Sequence, residues 1–97
     1  MPWSVRLQDE NGKPENDRDV VFHGPLPVGD ESYRLLSYID PYGDTTFNSL
    51  QMKTFLHEWE RIKNRLNEEQ IEPWKQIREF AMRGTNEEHL YLKFIGD

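Results

Sequence analysis

Three segments of the chain alternate apolar and polar side chains with a period of two, namely residues 3–8, 33–40 and 89–95. Because successive side chains of a strand point to opposite faces, this pattern predicts half-buried β-strands. Residues 20–23 form a shorter apolar run, and the stretch that follows contains two prolines, which cannot donate hydrogen bonds within a sheet. The pattern therefore predicts about four strands, three of them with one apolar face.

A tight turn is predicted immediately after residues 33–40. Pro41 presets the backbone angle of the second turn position, and Gly43 accepts a positive φ. Residues 45–47 are then expected to return antiparallel to residues 33–40, so that the two segments form a hairpin.

An amphipathic helix is predicted from about Ser49. Asn48 and Gln51 have the spacing of a capping box, in which each side chain accepts a hydrogen bond from the other residue's backbone N–H. Apolar side chains then recur at helical spacing, at Met52, Phe55, Leu56, Trp59, Ile62 and Leu66. This stripe requires burial against another element.

A second helix is predicted over residues 70–83. Pro73 is expected in its first turn, where the missing N–H has no helical partner, and Gly84 is expected just past its end. The side chains expected to face inward are Trp74, Ile77 and Ala81. Together the elements predict one two-layer α+β domain over residues 1–97, with an antiparallel or mixed sheet packed on a two-helix hairpin.

Composition supports a single small core with a hydrated exterior. Three Trp, four Tyr and five Phe account for much of the apolar content, whereas 31% of residues are charged and the mean hydropathy is −0.92. No apolar run approaches the roughly 18 to 20 residues that span a bilayer, and the N-terminal residues lack the features of a secretory signal. We therefore expect a soluble cytoplasmic protein with no membrane association. The absence of Cys excludes disulfides and thiol catalysis.

The net charge of −6 is unevenly distributed. Residues 1–47 contain four Lys or Arg against nine Asp or Glu, whereas residues 48–97 contain eight against nine. An acidic surface repels the phosphate backbone, so nucleic-acid binding is not expected. A basic protein is the more plausible partner.

The acidic residues are densest in a polar segment at residues 9–19, which the Asn-Gly pair and Pro14 predict to be a loop. Its carboxylates are Asp9, Glu10, Glu15, Asp17 and Asp19. With Asp30 and Glu31 they are candidates for a docking face that steers a basic partner, and the alternative is an ordinary solvated loop. Tyr42, at the tip of the predicted turn, is a further candidate contact.

Catalytic motifs are absent from the sequence. His57-Glu58 begins like the helix of zinc proteases, but the second His of that motif is replaced by Arg61. There is no nucleophile elbow, phosphate loop or dinucleotide fingerprint, so neither a metal nor a cofactor is expected.

Two other functions fit the same residues. One is a small-molecule-binding domain or minor enzyme whose pocket lies between the sheet and the helices and uses His23, Tyr38 or His57. The other is a homodimer joined through an unpaired strand at the sheet edge, such as residues 3–8 or 89–95.

Residues 23–30, 38–45 and 90–97 resemble segments of small, uncharacterised bacterial proteins. The similarity covers most of the chain. It implies a bacterial, cytoplasmic, single-domain protein, and it implies no activity, ligand or functional residue. A bacterial origin favours a stand-alone regulator, so the leading hypothesis is a non-enzymatic interaction protein that binds a basic partner.

Overall fold

A four-stranded sheet packs against two helices in the computed structural model, which describes residues 2–96. The strands are β1 (Trp3–Gln8), β2 (Val20–Phe22), β3 (Asp44–Phe47) and β4 (Tyr91–Ile95). The helices are α1 (Met52–Ile62) and α2 (Glu68–Asn86). Neighbouring strands are antiparallel in the order β2-β1-β4-β3, which confirms the predicted two-layer α+β fold.

The two inner strands of the sheet are β1 and β4, which pair from Ser4 opposite Ile95 to Gln8 opposite Tyr91. The suggestion that one of these strands offers an unpaired edge is therefore wrong. The edges belong to β2 and β3, which have only three and four residues. Short edge strands present few unpaired backbone groups to another chain.

The period-two alternation identified the inward face of the sheet correctly. β1 and β4 direct their alternate apolar residues into the core, although β4 begins two residues later than predicted. The buried members of these strands are Trp3, Val5, Leu7, Leu92 and Phe94. These side chains meet the apolar stripe of α1, where the rings of Phe55 and Trp59 stack with centroids 5.2 Å apart.

The predicted capping box starts the first helix. Asn48 Oδ1 accepts a hydrogen bond from the Gln51 N–H at 3.1 Å, and Gln51 Oε1 accepts one from the Asn48 N–H at 2.8 Å. The chain forms one 3-10 turn at Ser49–Gln51 before α1 proper. Another 3-10 turn, Lys63–Arg65, follows the helix.

A second capping box, formed by Asn67 and Gln70, starts α2 at Glu68. The predicted start at residue 70 is therefore wrong. Asn67 and Gln70 have the same three-residue spacing as Asn48 and Gln51, and this spacing marks the true start of α2. Pro73 consequently lies in the second turn of α2 rather than in the first.

Gly84 lies within α2 and is buried, so the prediction that it follows the helix is wrong. A Cβ at this position would lie 3.2 Å from Met52 Cγ and 4.0 Å from Leu7 Cδ1. The glycine therefore allows α2 to approach the start of α1 closely, and its backbone does not have a positive φ.

Two tryptophans join the helices to each other. Trp59 Nε1 donates to the Trp74 carbonyl at 3.1 Å, and Trp74 Nε1 donates to the Trp59 carbonyl at 2.9 Å. Both side chains are buried, as predicted, and both indole donors are satisfied without water.

Residues 33–40 do not form a strand, so the predicted hairpin with residues 45–47 is also wrong. The buried side chains of this segment are Tyr33, Leu36 and Ile39, every third residue, and Leu36–Tyr38 forms a 3-10 turn. β3 pairs with β4 instead.

A carboxylate explains why residues 33–40 are not a strand. Glu58, buried in the middle of α1, accepts the Arg34 N–H at 2.9 Å and the Leu35 and Leu36 N–H groups at 3.0 Å each. These three consecutive donors are therefore unavailable to a neighbouring strand. The alternation was also imperfect, because Leu35 and Leu36 are both apolar and position 37 is Ser, whereas the buried residues Tyr33, Leu36 and Ile39 are three apart.

Candidate functional site

Two carboxylates of the predicted acidic loop, residues 9–19, are paired with arginines. Asp19 accepts a hydrogen bond from Arg6 on β1 at 2.7 Å. Glu15 accepts one from Arg83 on α2 at 2.8 Å. The loop is therefore attached to both layers of the fold, and part of its charge is neutralised within the molecule.

A third carboxylate, Asp9, organises the turn at the start of this loop. Its Oδ1 accepts the backbone N–H groups of Asn11 and Lys13, both at 2.9 Å. Glu10 and Asp17 are exposed, and neither forms an ion pair within residues 2–96. These two residues are the loop carboxylates most accessible to a partner.

Arg83 brings Glu15 together with Glu87 at the C-terminal end of α2. Its Nε donates to Glu87 Oε2 at 2.8 Å, while its Nη2 donates to Glu15 Oε1. The hydrogen bond to Glu87 is the main reason that the pKa of Arg83 is raised, and the negative charges of Glu87 and Glu15 add to it. One guanidinium therefore serves two carboxylates.

The chain that follows β1 and the chain that precedes β4 lie at the same end of the sheet, because Gln8 pairs with Tyr91. This register places Glu10 and Glu88 at that end as well. We refer to the group as the acidic end, which consists of Asp9, Glu10, Glu15, Glu87 and Glu88. Glu87 and Glu88 were not predicted to belong to this group, because about 70 residues of chain separate them from the loop.

An exposed leucine borders the acidic end. Leu50, in the 3-10 turn before α1, is 90% exposed. It shares an open depression of about 350 Å³ with Glu88 and Tyr91. A large apolar side chain that is this accessible, next to carboxylates, is a candidate contact for another molecule.

Tyr42 is 76% exposed, as expected for a turn tip, but it lies at the other end of the sheet. The turn that contains it leads into β3, whose first residue, Asp44, pairs with Ile95, and Ile95 pairs with Ser4. β1 separates this region from the acidic loop by about 17 Å. The structure therefore does not bring Tyr42 and the loop carboxylates into one cluster.

The candidate pocket residues His23, Tyr38 and His57 are all exposed and do not meet. Tyr38 lines an open depression of about 630 Å³, and His57 lines a second one of about 380 Å³. His23 lines neither, whereas Arg34 borders both. These depressions lie on the outer surface beside α1, while buried aromatic side chains occupy the space between sheet and helices.

The depression that contains His57 is bordered by cations. Its lining residues are Ser32, Arg34, Lys53, Thr54, His57, Glu58 and Arg61. The Glu58 carboxylate is buried and occupied by backbone N–H groups, whereas Arg34, Lys53 and Arg61 are exposed. None of these three cations forms an ion pair within the described part of the chain. We refer to Arg34, Lys53, His57 and Arg61 as the basic cleft.

Arg61, at one side of the basic cleft, is held in place by two contacts. Arg61 Nη1 donates to the Ser32 carbonyl at 2.9 Å, and its guanidinium carbon lies 4.0 Å from the ring centroid of Tyr33. Arg65 lies 5.5 Å from the same centroid. Hydrogen bonds from the hydroxyl and N–H of Ser32 lower the pKa of Asp30, and the charges of Arg65 and Arg61 lower it further.

Part of the basic cleft is indicated by a pattern in the sequence. Lys53, His57 and Arg61 recur every four residues, which places them along one face of α1. Arg65 continues this spacing in the 3-10 turn that follows the helix. Arg34 had no such signal, because only the anchoring of its segment by Glu58 brings it beside that face.

Neither helix within residues 2–96 is long and apolar enough to cross a membrane. Over the same residues, His, Asp and Glu side chains form no group of three that could hold a metal ion. Comparisons of the chain with protein-family models, curated proteins and solved structures found no match.

Proposed function

We propose that this chain is a small non-enzymatic interaction protein that binds a basic protein partner through its acidic end. One observation carries the proposal: the fold gathers five carboxylates from the loop and from the C-terminal end of α2. Arg83 pairs with two of them, Glu15 and Glu87, which leaves a surplus of negative charge. The resemblance of the sequence implies a bacterial, cytoplasmic protein, and a bacterial origin favours a stand-alone regulator.

The surface chemistry suggests how the partner is recognised. Clustered charge of one sign speeds the encounter with an oppositely charged partner, and the affinity then depends on buried apolar contact. Leu50 is positioned to provide that contact beside Glu88. A partner that also contacts Tyr42 has to extend along the length of β1.

Affinity capture from a lysate of the source organism tests this proposal. The tagged chain is compared with Glu10→Gln/Glu88→Gln and with a control, Glu72→Gln/Glu79→Gln, that removes the same charge from exposed positions elsewhere on α2. We expect one basic protein to be retained in stoichiometric amount by the wild type and the control. Retention should fall with the acidic-end variant and at high salt.

Equal retention by all three chains, or retention that does not change with salt, would contradict the proposal. Once the partner is purified, its dissociation constant gives the quantitative test. Between about 50 mM and about 300 mM salt, affinity should fall by roughly tenfold or more for the wild type and by less for the acidic-end variant.

A second candidate function is small-molecule binding. The observation that favours it is that Tyr38 and His57 border neighbouring depressions, with Arg34 between them. A thermal-shift screen of metabolites checks this function independently of any protein partner. A ligand that raises the melting temperature of the wild type, but not that of His57→Ala or Tyr38→Ala, would support it.

Homodimerisation stays a prediction. A dimer joined through the sheet has to use β2 or β3, because these are the edge strands. Sedimentation of the chain at micromolar concentration measures its mass directly, and a monomer mass would exclude this arrangement at that concentration.

A further inference from the structure

We propose that the basic cleft binds a small ligand that carries a phosphomonoester group. This site is separate from the acidic end, and the inference does not require the proposed protein partner. It rests on the charge, the fixed geometry and the size of the cleft.

The charge of the cleft suits a phosphomonoester. The lining contains three cationic side chains and one carboxylate, which leaves two positive charges when His57 is neutral. A phosphomonoester carries a charge of about −1.5 to −2 at neutral pH and three acceptor oxygens. Within the described residues Glu58 is buried and none of the three cations forms an ion pair. Asp30 does not line the cleft, but its pKa, lowered mainly by the hydrogen bonds from Ser32, is lowered further by the charge of Arg61, so Arg34 and Lys53 supply most of the positive charge available to a ligand.

The cleft is organised before any ligand binds. The stacking of Arg61 on Tyr33 and its single hydrogen bond to the Ser32 carbonyl fix the guanidinium and leave further N–H donors free. Glu58 fixes the backbone of residues 34–36, from which the Arg34 side chain extends. Donors that are already ordered lose little conformational entropy on binding, which favours affinity for an anion.

The size and the remaining donors narrow the ligand class. The open depression has a volume of about 380 Å³, which is enough to accommodate a small phosphomonoester. The hydroxyls of Ser32 and Thr54 add neutral donors around the cations. Nucleic acid is disfavoured as the source of the phosphate, because the chain as a whole carries a charge of −6.

Titration of the isotopically labelled chain with inorganic phosphate and with phenyl phosphate, followed by NMR at constant ionic strength, tests the inference. Acetate serves as the anion control. We expect saturable shifts at Arg34, Lys53 and His57 with both phosphates and little change with acetate. Tighter binding of phenyl phosphate would indicate that the organic group is also in contact.

Matched variants locate the site. Arg34→Gln/Lys53→Gln removes two cations from the cleft, while Arg18→Gln/Lys75→Gln removes the same residue types from exposed positions outside it. The Arg34 substitution retains the backbone N–H that Glu58 binds. We expect the first variant to bind phosphate about tenfold more weakly or worse, and the second to bind like the wild type.

Three results would overturn the inference. One is a response to phosphate no stronger than the response to acetate, and another is a set of shifts spread evenly over the surface. The third is equal phosphate affinity in Arg34→Gln/Lys53→Gln and the wild type. Capture of a basic protein partner should be unaffected by this variant, so a failure here is distinguishable from a failure of the acidic-end proposal.

Discussion

Helix α1 and the segment beside it, residues 33–39, are fixed by contacts of different range. α1 begins where Asn48 and Gln51, three residues apart, cap each other. Residues 34–36 are held by Glu58, which is 22 to 24 residues away along the chain. The helix start is encoded locally, whereas the shape of the segment depends on a carboxylate that α1 presents.

The hydrogen bonds of Glu58 explain why this charged residue is tolerated in the core. Glu58 is the buried charged side chain among residues 2–96, and its two oxygens accept N–H donors from three consecutive residues. Burial of a carboxylate is costly unless hydrogen bonds compensate for the lost water. Here the carboxylate and the backbone donors satisfy one another.

The largest expected effect is that of Glu58→Ala, which should destabilise the fold by about 3 kcal/mol or more, because backbone donors that are largely shielded from water lose their acceptor. Urea unfolding measures the change. Glu58→Gln keeps one carbonyl acceptor and should cost roughly half as much. Amide exchange at residues 34–36 should accelerate more than exchange in α1.

The control for this comparison is Glu60→Ala, two residues further along α1. Glu60 pairs with Arg78 on the surface, and an exposed ion pair of this kind contributes about 0 to 1 kcal/mol. If Glu58→Ala were no more destabilising than Glu60→Ala, the buried carboxylate would not be the anchor of residues 33–39.

An intermediate effect is expected for the helix caps. Asn48→Ala and Asn67→Ala should each lower the free energy of unfolding by about 1 kcal/mol, because each removes the acceptor of one helix N-terminal N–H. Asn64→Ala, at an exposed position that caps neither helix, is the control. Thermal unfolding of the three variants checks the prediction, and equal loss in all three would indicate that capping is not the cause.

The smallest effect is expected at Asp30, whose carboxylate accepts hydrogen bonds from Ser32, the residue just before segment 33–39. Because these hydrogen bonds lower the pKa of Asp30 in the fold, its contribution is present above the ordinary value of 3.8 and is lost as the pH falls through the lowered value. Asp30→Asn should therefore be slightly less stable than the wild type at neutral pH. The difference should shrink in acid.

Urea midpoints measured at pH values between about 7 and about 2.5 test this pH dependence. Asp17→Asn is a suitable control, since Asp17 is exposed and forms no ion pair within residues 2–96. A stability difference between Asp30→Asn and the wild type that stays constant over this range would contradict the assignment.

Sequence patterns predicted those parts of the fold that depend on nearby residues. The alternation in β1 and β4 and the stripe of α1 identified the buried faces. Two errors arose where a distant residue decides the structure, whereas the start of α2 was misplaced although its capping box is local. Glu58 accepts the backbone N–H groups of residues 34–36. Met52 packs against Gly84, where a side chain would be crowded, and this explains a glycine inside α2.

In the candidate sites, too, features set by nearby residues were easier to predict than features set by distant residues. The loop carboxylates could be recognised as a dense acidic segment, but no sequence pattern indicated that Arg6 and Arg83 neutralise two of them. The fold also adds Glu87 to that end of the molecule. The cations of α1, in contrast, were visible at four-residue spacing and only needed the helical face to be considered.

The arrangement of the inner strands has a consequence for synthesis of the protein. β1 makes three residue pairs with β2 but five with β4, and residues 91–95 are translated long after residues 3–8. Until β4 has left the ribosome, one edge of β1 lacks its partner strand. The nascent chain therefore completes its sheet only after translation of residue 95.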